Sequence, residues 1–163
     1  MPSWVRDLYP VLHLDALASG HSLGTSEERQ AVLMLTFDLH LDLAMNAIQH
    51  NRDLLLSVED CRRSEEGIEG KSRGHNTVTF PEMRRGQVGL CIATVLARVQ
   101  RGAGRGAGYR THEITYAVAQ GMLAYYRQLE RMGVCRMIRT AEELGAAATA
   151  WNAAAPSPPA PLP

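Results

Sequence analysis

The stretch AVLMLTFDLHLDL, residues 31–43, decides how the fold is read. Residues 31–39 are almost continuously apolar. A run of this length without polar alternation suits a strand buried on both faces, as in a parallel sheet; a buried helix segment is the competing reading. Polarity returns abruptly at His40-Leu41-Asp42. Residues i and i+2 of a strand share a face, so the His40 imidazole and the Asp42 carboxylate can converge. One nitrogen and one oxygen donor on a rigid strand end suit Zn²⁺ or a similar divalent ion. In parallel α/β architectures the C-terminal strand ends form the active face. Asp38 stands two residues before His40 and is a candidate for orienting it. The plainer reading is a polar strand end with a satisfied histidine. His13-x-Asp15 has the same spelling in a weaker context, which shows how little the motif means alone.

Downstream, strand and helix patterns alternate. Thr79, Pro81 and Glu82 open a short helix expected to run to about Arg85 and stop at Gly86. Residues 87–96, QVGLCIATVL, repeat the buried-strand character, with Gly89 marking close packing or a bend. Thr111 is placed to cap a long helix. Ile114, Val118, Met122, Tyr125, Leu129 and Met132 form its apolar stripe, and Gly133 ends it. Residues 134–138 suit a third strand. Thr140 and Glu143 form a capping box for a last helix with Leu144, Ala148 and Trp151 on one face. Alternating β and α favours a parallel sheet with covering helices. Residues 43–76 read as an irregular apolar part, a surface helix and a loop.

Composition narrows the function. The 163 residues carry 17 basic and 17 acidic side chains, a formal net charge of zero. That balance argues against nucleic acid held by bulk charge. Residues 98–110 place four arginines among glycines, but without stacking aromatics they read as a solvated loop rather than an RNA-binding segment. No apolar run reaches the ~20 residues of a membrane span, and residues 1–19 do not resemble a signal peptide. Cys61, Cys91 and Cys135 form neither a disulfide framework nor a Cys-x-x-Cys zinc site, so a cytoplasmic protein is expected. Cys91 reads as a small core residue. Cys61 has Arg62 and Arg63 beside it, which would lower its pKa, but no catalytic partner is specified. His50, His75 and His112 lack ligand spacing.

Four blocks, in order, resemble the membrane (renal) dipeptidases, especially their bacterial cytoplasmic relatives. They are FDLHLDLAMNAIQHNRDL (37–54), GHNTVTFPEMRRGQVGLCIATVLAR (74–98), GYRTHEITYAVAQGMLAYYRQLERMG (108–133) and RMIRTAEELGAAATAW (136–151). The resemblance implies an amidohydrolase-type (β/α)₈ barrel of the TIM type and a two-zinc centre that hydrolyses dipeptides through a metal-activated water. His40 and Asp42 map onto two ligands of one zinc. The family's bridging glutamate, later histidine ligands, substrate-binding histidine and arginine, and late aspartate have no counterpart here. A barrel of this kind takes about 250 residues. The expectation is therefore an incomplete barrel of about three strands with covering helices. It comprises a leader of unclear structure (1–30), the N-terminal part of the barrel (31–152) and an Ala/Pro-rich tail (153–163) where the chain is cut short. Such a chain would hold at most a partial zinc site and be inactive alone. The expected partner is a dipeptide substrate, with no nucleic acid and no membrane; a homo-oligomer is left open. The alternative is a non-catalytic binding protein that keeps part of the fold.

Overall fold

A computed structural model describes residues 11–14, 35–70, 72–100 and 108–154. The elements in order are β1 (Val11–His13), β2 (Thr36–Leu41), α1 (Leu43–Gln49), α2 (Val58–Arg63), α3 (Phe80–Arg85), β3 (Val88–Ala93), α4 (His112–Arg131), β4 (Arg136–Ile138) and α5 (Ala141–Ala153). The fold is mixed α/β. One four-stranded sheet has the order β2-β3-β1-β4.

β2 and β3 pair in parallel. β1 is antiparallel to both β3 and β4, so β2, β3 and β4 all run in one direction. This much agrees with successive βα units. The place of β1 does not: a strand from the leader separates β3 from β4. Peripheral structure was expected before residue 31, yet Leu12 and Leu14 are fully buried.

Adjacent residues on three strands divide between two apolar clusters. Leu12, Cys91 and Met137 join the larger cluster with Leu43, Phe80, Met83, Met122 and Tyr126. Their neighbours Val11, Leu90 and Ile138 pack with Leu144 and Ala147 of α5. Neighbours on a strand face opposite ways, so α1, α3 and α4 cover one face and α5 covers the other. In a closed barrel β3 and β4 would pair directly, and all helices would lie outside.

β2 also departs from expectation. The apolar run predicts a strand over 31–39 buried on both faces. The strand instead spans Thr36–Leu41 at the sheet edge, with Phe37 39% and Leu39 66% exposed. Residues 31–34 lie outside the described residues. Two irregularities interrupt its register. Thr36 pairs Val88 and Phe37 pairs Leu90, which leaves Gly89 as the extra residue on β3. A Cβ at Gly89 would come within 2.5 Å of the Trp151 ring and 2.6 Å of Leu35, so only glycine admits α5 so close. Between Asp38 and Leu41 the extra residue is on β2, next to His40. A bulge there re-aims the side chains beside it.

The helix ends follow their local chemistry. Thr140 and Glu143 form the full capping box of α5. The Thr111 hydroxyl accepts from the Ile114 N–H at the start of α4. Gly133 takes φ of +70° after α4; its N–H bonds the Glu130 carbonyl, and the Val134 N–H bonds that of Leu129. This is the crossed bonding of a glycine-terminated helix. α3 begins after Thr79, has Pro81 in its first turn and ends at Gly86, but the capping box expected of Thr79 and Glu82 is not formed: the Thr79 hydroxyl makes no capping bond. The stripe on α4 is shifted from the expected one. Met122, Leu123, Tyr126 and Leu129 are buried, Val118 and Tyr125 are half-buried against the core, and Ile114 and Met132 are exposed.

Candidate functional site

His40 and Asp42 do converge. His40 Nε2 lies 3.5 Å from Asp42 Oδ1. The His40 side chain is 73% exposed and that of Asp42 26%, so an ion or a solvent molecule can reach both. The convergence arises differently from the expected strand geometry. His40 adjoins the bulge of β2, and Asp42 is already the residue that caps α1.

The carboxylate of Asp42 does not perform the usual work of a capping aspartate. It makes no side-chain bond to the first turn of α1. Such a residue normally accepts from the second or third helical N–H. Here the second, Ala44 N–H, donates to the Tyr126 hydroxyl at 3.0 Å. Asp42 Oδ1 instead accepts from the Thr94 hydroxyl, just past the end of β3. The Asp42 carbonyl takes the Asn46 backbone N–H at 3.0 Å and the Asn46 side-chain amide at 2.9 Å. Thr94 is itself anchored: its N–H donates to the Leu41 carbonyl at 2.9 Å, and its carbonyl accepts from Tyr126 at 2.8 Å. Asp38 has a narrower role than expected. Its Oδ1 accepts from the His40 backbone N–H at 2.9 Å and so fixes the chain, not the imidazole.

The donor pair suits a divalent ion in chemistry and in spacing. Two ligands at about 2.0–2.1 Å from a tetrahedral zinc stand about 3.4 Å apart. The observed 3.5 Å is compatible with that value and is equally the spacing of an imidazole–carboxylate ion pair. Among the described residues no group of three or more His, Cys, Asp or Glu side chains comes together as a metal cage. Among the described residues the pair is two donors.

The remaining candidates are placed as follows. His13 is buried in β1, with Arg136 Nη2 3.4 Å from its Nδ1; Asp15 lies outside the described residues. Cys61 is fully buried, and burial pushes its thiol up. The lowering charge on it comes from Arg52 rather than from the adjacent Arg62 and Arg63, and loss of solvent outweighs it. Cys91 and Cys135 are also buried, each pushed up to about 12 by burial. The Arg/Gly stretch closes at its base, where Tyr109 N–H bonds the Arg98 carbonyl and Gln100 N–H bonds that of Tyr109, both at 2.8 Å. Residues 101–107 lie outside the described residues.

The sequence reading missed two features. Arg52 and Glu65 form a buried two-pronged ion pair, with Nε–Oε1 at 2.8 Å and Nη2–Oε2 at 3.1 Å. A shallow groove of about 340 Å³ lies between α1 and α4, lined by Ile48, Asp53, Leu55, Tyr125 and Met132. It sits at the C-terminal end of α1, whereas Asp42 stands at the N-terminal end. Arg52 and Glu65 are thirteen residues apart with no periodic signal, and the groove needs α4 in place.

No described helix is long and apolar enough to cross a membrane. Comparison with protein-family models, with curated proteins and with solved structures gives no match.

Proposed function

We propose that this chain is a dipeptidase-like metal-binding domain that holds one divalent cation, zinc by preference, between His40 and Asp42. The observation that carries this reading is the His40–Asp42 pair 3.5 Å apart, with an exposed imidazole and a carboxylate that makes no capping bond to its helix. Thr94 orients Asp42, as a hydrogen-bonded neighbour commonly does for a metal ligand. When bound, the ion would lower the pKa of a bound water and polarise a peptide carbonyl. The chain's own residues hold and orient; none of those described offers a third donor, where catalytic zinc has three protein ligands. On this reading the described residues bind the ion but do not complete a catalytic site.

The barrel reading rests on the parallel β2, β3 and β4 and on the helices between them. It reaches as far as the shared direction of β2, β3 and β4, since β1 between β3 and β4 and α5 on the opposite face take places that a barrel assigns otherwise. Calorimetric titration with Zn²⁺ tests the reading, with Ala-Ala hydrolysis as the activity assay. One equivalent should bind, His40→Ala should abolish it, and no turnover should appear. Equal binding by His40→Ala would overturn the assignment.

A second reading has its own observation. The edge strand β2 exposes Phe37 and Leu39, which suits a non-catalytic protein that docks a partner along that edge. Absence of zinc binding, together with self-association lost on Leu39→Lys, would favour it.

A further inference from the structure

We infer that Tyr126 is a positioning residue that takes over the capping duty of Asp42 and so frees the carboxylate to face His40. The inference rests on the metal reading for its consequence, but its geometry stands without the metal. Asp42 occupies the capping position of α1 and makes no capping bond. The N–H it would ordinarily serve, that of Ala44, donates to the Tyr126 hydroxyl, contributed by a helix 82 residues away. That hydroxyl in turn donates to the Thr94 carbonyl. One buried O–H thus satisfies the start of α1 and ties down the residue whose own hydroxyl orients Asp42.

The burial makes this exchange effective. Tyr126 is fully buried, as is Ala44, so water cannot replace the phenol oxygen. Without it, an unpaired buried N–H would remain, and the side chain at the position that ordinarily serves that N–H is Asp42. Thr94 and His40 both face Oδ1, so a carboxylate that turns to cap the helix competes with these two contacts. The chain thus offers Asp42 two competing partners, and Tyr126 decides between them.

The test is Tyr126→Phe, which keeps the ring and removes the oxygen, compared with Asp42→Ala and the double variant. Stability without metal reads the exchange. If Asp42 moves in to cap, Tyr126→Phe alone loses only the Tm that the orphaned Thr94 carbonyl costs. The same change in the Asp42→Ala background then loses about 2–4 °C more, because no side chain is left to serve Ala44. Equal losses in the two backgrounds overturn the inference. Zn²⁺ affinity, where the wild-type chain binds, reads the consequence. Tyr126→Phe should weaken it about tenfold or more. Leu129→Ala, a core change on the same helix, should cost Tm and leave affinity unchanged. A Tyr126→Phe variant that binds Zn²⁺ like the wild type overturns the positioning role. A wild-type chain that binds no Zn²⁺ overturns the metal reading, and the Tm comparison still decides the inference.

Discussion

Glu65→Gln should remove about 3 kcal/mol of folding stability at pH 7. Glu65 lies in the segment after α2, and Arg52 lies just beyond α1. Their side chains are 2% and 4% exposed. The carboxylate also takes Arg73 Nη1 at 2.9 Å and the Gly74 N–H at 2.7 Å. It therefore fastens the loop at 72–74 to the end of α1. Breaking a buried pair leaves the partner's charge uncompensated, which costs about 3–5 kcal/mol. Proton linkage gives a similar figure. The Arg52 guanidinium, above all, holds the Glu65 carboxyl at about 2, against an ordinary 4.5, despite burial that pushes it up. At about 1.4 kcal/mol per tenfold this is again about 3 kcal/mol.

The folded pKa is the lower one. The stabilisation is thus fully present above the unfolded value and fades as pH falls from about 5 towards 2. Urea denaturation followed by circular dichroism measures it at pH 7 and pH 3. The gap between wild type and Glu65→Gln should shrink to less than half at pH 3. A variant within 0.5 kcal/mol of wild type at pH 7, or a gap that ignores pH, would refute the reasoning.

Three other outcomes follow from the packing. Gly89→Ala should destabilise by about 1–3 kcal/mol, because its Cβ would press on Trp151 and Leu35; thermal denaturation reads this directly. Leu12→Ala should cost about 2–5 kcal/mol, since β1 is central to the sheet; a cost below 1 kcal/mol would mean the leader strand is dispensable. Cys61, Cys91 and Cys135 should resist a thiol reagent at pH 8 until denaturant is added, all three being buried with raised pKa values; rapid labelling of the native chain would contradict their placement.

What the sequence made legible was mostly local. The Thr140/Glu143 box, the Thr111 cap and Gly133 each act within a few residues, and each stands where its own chemistry puts it. The alternation of strands and helices was legible for the same reason. β1 was not. Three residues carry no period, and their partners are Leu90–Ile92 and Arg136–Ile138, far along the chain. The edge position of β2 was hidden because apolar content does not reveal which neighbours arrive to cover it. On α4 the repeat located Met122 and Leu129 of the buried stripe, while its two ends, Ile114 and Met132, are exposed. Tyr126, next to the expected Tyr125, is the buried one, its ring in the core and its hydroxyl bonded to the Ala44 N–H and the Thr94 carbonyl. His40 and Asp42 were legible as a pair. That Asp42 is excused from capping was not, since this depends on a tyrosine 84 positions later.

The most direct test of the metal assignment is a crystal of the chain with one equivalent of Zn²⁺, measured at the zinc absorption edge. The account predicts one anomalous peak at about 2.0–2.2 Å from both His40 Nε2 and an Asp42 oxygen, with Tyr126 still holding Ala44. A peak elsewhere, or none with Asp42 capping its helix, would contradict it.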